Sequence, residues 1–180
     1  GYNALVNMNA GADAYATVVG YNAGGAITTG IRNTLIGGLA GDALTTGAYN
    51  TAVGMFALST EDEGSANTAI GYRTLQSLDA GADAHATAVG HLAGVNVTTG
   101  VYNTLIGSLA GDALTTGAYN TAIGYQALGS EDAHGFNTAV GYLALLTQNA
   151  GSDAYNVAVG SETGKNITTG TQNTLVGANA

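Results

Sequence analysis

The stretch Asn50–Ala66, NTAVGMFALSTEDEGSA, contains one full period of the chain, and its opening residues decide the fold. Asn-Thr-Ala-Val-Gly is a short run of residues suited to a pleated surface. The same phrase (Thr, a small or apolar residue, Val or Ile, Gly) begins at Thr17, Thr34, Thr51, Thr68, Thr87, Thr104, Thr121, Thr138, Val157 and Thr174. The spacings are 17, 17, 17, 19, 17, 17, 17, 19 and 17 residues, so the pattern closes on a 70-residue super-repeat, 17–86 and 87–156. One β-branched residue and one Gly per short, fixed period mark a solenoid whose coils stack on one another.

The expectation is therefore an all-β parallel β-solenoid. Residues 1–180 form a single array of about ten coils, 17–19 residues each, with two short strands per coil. The first strand is the Asn-Thr-x-Val/Ile-Gly run. The second follows the Gly, where small residues (Ala40, Ala57, Thr74, Ala110) precede Gly or Leu in pairs: Gly24 and Gly41, Leu58 and Leu75, Gly94 and Gly111, Leu128 and Leu145. Helix is excluded because Gly interrupts every few residues and no apolar spacing of three and four persists over ~11 positions. A triangular coil of three hexads is also excluded, since Ser59 and Ser65 follow Val53 at that spacing. The chain begins and stops partway through a coil without capping repeats, so a window from a longer protein is expected.

Stacking turns each position into a column. The Val/Ile column (Val19, Ile36, Val53, Ile70, Val89, Ile106, Ile123, Val140, Val159, Val176) is expected to be buried, so that Val53→Asp or Ile123→Asp would break the stack. An Asn column (Asn33, Asn50, Asn67, Asn103, Asn120, Asn137, Asn156, Asn173) is expected to satisfy backbone groups at a corner. All ten Tyr fall in two columns. Tyr15, Tyr49, Tyr102, Tyr119 and Tyr155 sit immediately before the Asn column, in which Ala16 and Ala86 are the departures, with His85 and Phe136; Tyr2, Tyr21, Tyr72, Tyr125 and Tyr142 follow the Gly, with His91. The acids lie in the second segment or the connections (Asp42, Glu61-Asp62-Glu63, Asp79, Asp112, Glu131-Asp132), which are expected to be the solvated side.

Composition excludes several classes. Twelve acids against Arg32, Arg73 and Lys165 give a formal charge of −9, opposite to what a phosphate backbone requires. No run of ~18 apolar residues is present, so membrane insertion is not expected. The chain has no Cys, which removes disulfides and thiolate metal sites, and no Pro to interrupt a ladder.

The string Asn120–Leu128, NTAIGYQAL, with its relatives Asn50–Leu58 and Asn137–Leu145, resembles the repeats of phage tail fibres and tailspikes and of the head domain of trimeric autotransporter adhesins. That resemblance implies a left-handed β-roll, assembly as a homotrimer, and display outside a cell or on a virion. The adhesin coil is shorter, near 14 residues.

No chemistry is expected: no catalytic, cofactor-binding or metal residues are assigned. His85, His91 and His134 do not recur in one column and read as ladder or surface positions. Asp79 and Asp83, with Asn9 and Asp13 or Asn149 and Asp153 at equivalent places, lack the spacing of a known calcium loop and read as solvated turns. The neighbouring acids Glu61-Asp62 and Glu131-Asp132 do not face one cleft as a glycosidase pair must. The functional expectation is a structural fibre segment whose apolar faces make the trimer, with cell-surface glycan or receptor as a possible partner of the Tyr columns. A self-assembling filament and an ice-binding solenoid are the alternatives.

Overall fold

A computed structural model describes residues 1–11, 14–81 and 83–180. Ten three-residue strands follow one another: β1 (Thr17–Val19), β2 (Thr34–Ile36), β3 (Thr51–Val53), β4 (Thr68–Ile70), β5 (Thr87–Val89), β6 (Thr104–Ile106), β7 (Thr121–Ile123), β8 (Thr138–Val140), β9 (Val157–Val159) and β10 (Thr174–Val176). They form one parallel sheet in chain order, with like positions paired. Thr34 lies opposite Thr51, Leu35 opposite Ala52 and Ile36 opposite Val53, and the register is kept across the 19-residue coils as well. At about 4.8 Å per strand, the sheet runs about 43 Å along the axis. The all-β parallel solenoid expected from the period is what the chain forms.

The second segment of each coil differs from expectation. It is a turn in which left-handed residues alternate with right-handed ones, as at Leu39 (φ 58°) and Gly41 (φ 54°), or Phe56 (φ 60°) and Leu58 (φ 54°). Its amides still bond to both neighbouring coils: Phe56 N donates to Gly38 O (3.1 Å) and Leu58 N to Thr74 O (3.0 Å). The ladder therefore continues without extended backbone. Propensity points away from this conformation, because a left-handed Leu or Phe costs roughly 1–2 kcal/mol. Stacking against like neighbours overrides that cost.

The orientation of the strand also reverses an expectation. Side chains alternate across a strand. The middle residue of each strand points inward, and Leu35, Ala52, Ala69, Ala88, Leu105, Ala122, Ala139 and Ala158 are fully buried. The flanking Thr is half-buried and the Val/Ile column faces outward, with Ile36, Ile70, Ile106 and Val159 at 37–38% exposure. The Val/Ile column is thus not the core. The interior is filled from other positions, by Ile27, Leu44, Leu58, Leu75, Leu78, Leu114, Leu128 and Leu145.

The core exchanges volume between coils. Where the strand centre is Leu (Leu35, Leu105), the turn residue of the same coil is Gly41 or Gly111; at Ala52, Ala69, Ala122 and Ala139 the turn carries buried Leu58, Leu75, Leu128 or Leu145, while the coils of Ala88 and Ala158 carry Gly94 and Gly164, which face Leu side chains of adjoining coils. A methyl group on Gly111 would lie 2.8 Å from Leu105 Cδ2, so the two large residues exclude one another. The paired Gly and Leu positions of the sequence record this exchange.

The Asn column behaves as expected. Asn50 N donates to Asn33 Oδ1 (2.9 Å), Asn50 Nδ2 donates to Gly64 O (2.9 Å), and Asn50 Oδ1 accepts from Asn67 N (2.9 Å). The chain of amides runs on to Ala86, whose N–H bonds to Asn67 Oδ1 (3.1 Å), and resumes at Asn103. Each Asn closes a corner that would otherwise leave buried backbone groups unpaired.

Candidate functional site

Two features of the surface and one of the interior are candidates. The outer sheet face carries the Thr and Val/Ile columns side by side for the length of the stack, flanked by the two aromatic columns. The residues that precede the Asn column position all sit in left-handed backbone, including Arg32 (φ 58°), Tyr49 (φ 60°), Ala66 (φ 60°), His85 (φ 49°, before Ala86), Tyr102 (φ 58°) and Phe136 (φ 62°). That shared conformation aims every side chain of the column the same way.

His85, Tyr102, Tyr119, Phe136 and Tyr155 form an unbroken stack with ring centroids 5.4, 5.0, 4.9 and 4.9 Å apart and planes within 11–16°. The other column is broken into the pairs Tyr2–Tyr21, Tyr72–His91 and Tyr125–Tyr142, at 5.7–5.8 Å. Within a run the ring faces are turned to each other, so only edges and hydroxyls meet solvent. His85 and His91 are ladder members, as their columns implied.

The connections are not uniformly solvated. The ladder bonds Thr28 N to Thr45 O (2.9 Å), Thr45 N to Asp62 O (2.7 Å) and Thr98 N to Thr115 O (2.8 Å) set the register there. One position earlier, Ile27, Leu44, Glu61, Leu78, Val97, Leu114, Glu131 and Gln148 stack as one interior column, all fully buried. Glu61 and Glu131 therefore lie inside, where an exposed acidic loop was expected. Glu61 Oε1 accepts from Gly64 N (2.8 Å) and Oε2 from Ala80 N (3.4 Å). Burial pushes its carboxyl above the usual carboxylate range; the two amides oppose this, and the charges of Asp79 and Asp62 add to it. Glu131 Oε1 instead meets His134, at N (3.2 Å) and Nδ1 (3.0 Å), while Oε2 has no hydrogen-bond partner among the described residues. Asp42 and Asp112 are half-buried, and burial raises both.

Donor atoms of Glu61, Asp62 and Asp79, and of Glu131, Asp132 and His134, come within 4.8 Å of one another. The calcium-type turn considered at Asp79 and Asp83 is thus split: Asp79 joins Glu61, Asp83 is exposed, and Asp13 lies outside the described residues. Three donors fall short of the six to eight oxygens that calcium takes. Amides occupy both oxygens of Glu61, which leaves it poorly placed for proton transfer to a ligand. A hollow of 390 Å³ lined by Glu162, Lys165, Asn166, Ile167, Leu175 and Asn179 lies in the last coils, away from both clusters.

The sequence reading missed the buried acids. The signal was in the columns: Glu61 sits in register between Leu44 and Leu78, and Glu131 follows Leu114. No protein-family model, curated protein or solved structure matches the chain.

Proposed function

We propose that the chain is a rigid structural segment of an extracellular or virion fibre, of the tail-fibre or surface-adhesin kind, in which three copies pack through their outer faces to project a binding end. The observation that carries this reading is the outward-facing Val/Ile column, half-buried to exposed, which runs the length of the sheet beside ordered aromatic rings. A contiguous apolar stripe of this kind marks an interaction surface. In-register stacking supplies stiffness, because each coil bonds to both neighbours. The test is mass in solution by light scattering, with negative-stain imaging. A rod of three times 17.7 kDa supports the reading. Unbounded polymers would favour a self-assembling filament.

A second reading is favoured by one observation: Thr and Val/Ile columns stand together on a regular outward face, as an ice-binding solenoid would present them. Thermal hysteresis from a species of single-chain mass would promote this reading over the fibre.

A further inference from the structure

Between Tyr49 and Tyr155 the longer aromatic column lacks a ring in a single coil. Arg32, Tyr49, Ala66, His85 and Tyr102 occupy successive coils of that column. The ladder bonds Tyr49 N to Ile31 O (3.1 Å) and Ala66 N to Ala48 O (3.0 Å) hold the coils before the gap in step, and Ala86 N, which donates to Asn67 Oδ1 (3.1 Å), together with the β4–β5 register holds the coil after it. Ala66 has the same left-handed backbone as its neighbours but no ring. Seventy residues on, the equivalent place holds Phe136, stacked between Tyr119 and Tyr155 at 4.9 Å from each. Two rungs at that repeat separate Tyr49 from His85 by about 10 Å, room for one planar group between two ring faces. Among the described residues those two faces meet no ring of their own column, unlike those of Tyr102, Tyr119 and Phe136.

The column itself indicates the class of occupant. On its other side Tyr49 is already capped by a planar cation: the Arg32 guanidinium lies 5.4 Å from the ring centroid and donates to the Tyr49 hydroxyl at 2.6 Å. A guanidinium thus serves as a rung in this stack. Glu63 and Asp83, which precede Ala66 and His85 by three and two residues, are exposed, and the chain carries −9 overall. A positive planar group gains from both the ring quadrupoles and that field. We infer that the gap at Ala66 is a binding slot for a small planar heteroaromatic cation, which enters between Tyr49 and His85 and completes the ladder.

The test exchanges the two positions. N-methylquinolinium is titrated into the intact chain, and the ring protons of the aromatic column are followed by NMR. Saturable upfield shifts are expected at Tyr49 and His85. Ala66→Phe should abolish them, and Phe136→Ala should create the same response at Tyr119 and Tyr155. Each variant carries a residue the coil already accommodates at the equivalent place, and the two variants fail or succeed independently. The neutral analogue quinoline should bind about two- to fivefold more weakly, the range for an exposed cation–π contact. Ser108, the gap between His91 and Tyr125 in the other column, is unchanged throughout and drops out of the comparison. Shifts at Tyr49 and His85 that persist in Ala66→Phe, or no new response in Phe136→Ala, would overturn the slot. Equal binding of quinoline would overturn the preference for charge.

Discussion

Replacing Gly124 by Ala tests the closest packing in the rod. Gly124 has φ +136°, a region open essentially only to Gly, and forcing a side chain there costs on the order of 1–3 kcal/mol. Its new methyl group would lie 2.6 Å from the carbonyl carbon of Gly141 and nearer still to the oxygen. That carbonyl cannot withdraw freely, because Gly141 N donates to Ile123 O at 2.7 Å and Gly124 N to Ile106 O at 2.7 Å. Parting the coils far enough to admit the methyl costs about one ladder bond, about 1 kcal/mol. A total loss of about 2–4 kcal/mol follows. With a urea slope of about 2–3 kcal/mol/M, the midpoint should fall by roughly 1–2 M. The control is Gly81→Ala, at φ +61°, where among the described residues no atom beyond its chain neighbours lies within 4 Å of the added carbon. It should cost about 1 kcal/mol through backbone strain alone. Urea unfolding followed by far-UV circular dichroism reads both. Equal midpoints for the two variants, or a larger loss at Gly81, would refute the claim that backbone-on-backbone contact in the Gly column holds the coils in place.

Further outcomes follow from the reversed strand and the buried polar groups. Ile123→Asp should cost about 1 kcal/mol or less in a single chain, since the column faces outward, whereas Ala122→Asp should abolish the cooperative transition; similar urea midpoints would contradict the assignment of faces. Asn50→Ala removes the acceptor of Asn67 N–H and the donor to Gly64 O, and should lower stability by about 2–4 kcal/mol; a loss below about 1 kcal/mol would show that the corner finds other partners. Glu61, Asp42 and Asp112 have raised pKa values through burial, so the folded chain binds more protons than the unfolded chain above their ordinary values of 4.5 and 3.8. Their contribution is fully present below those values and is lost as pH rises through the folded ones. The triple variant Glu61→Gln, Asp42→Asn, Asp112→Asn should therefore weaken less than the native chain between pH 4 and pH 7 in urea unfolding. An identical pH slope would sink this account.

Much of the fold was legible because stacking copies one residue type into one place. The 17-residue period gave the parallel register directly, and the Asn column announced its own hydrogen bonding. The conformation of the second segment was hidden, because Leu39, Phe56 and Leu58 are residue types that avoid positive φ in isolation. The facing of the strand was hidden for another reason: in Thr-Ala-Val the smallest residue points in, since Leu58 and its like fill the space from the opposite wall. Glu61 escaped notice because it was read along the chain, as part of Glu61-Asp62-Glu63, rather than down its column beneath Leu44. The gap at Ala66 becomes visible only when neighbouring rungs are known to touch.

The left-handed residues have a consequence for how such a rod comes into being. Each coil requires several backbone angles that a free chain disfavours, at Tyr49, Phe56 and Leu58 in the third coil for example. An isolated turn would bear that expense of roughly 1–2 kcal/mol at each site with no neighbour to offset it. The first few layers are therefore hard to assemble, and every later one is laid down on a finished template. Growth of this kind is closer to crystallisation than to the folding of a compact globule. Short fragments of two or three periods should stay unstructured, while longer arrays should gain stability faster than in proportion to their length.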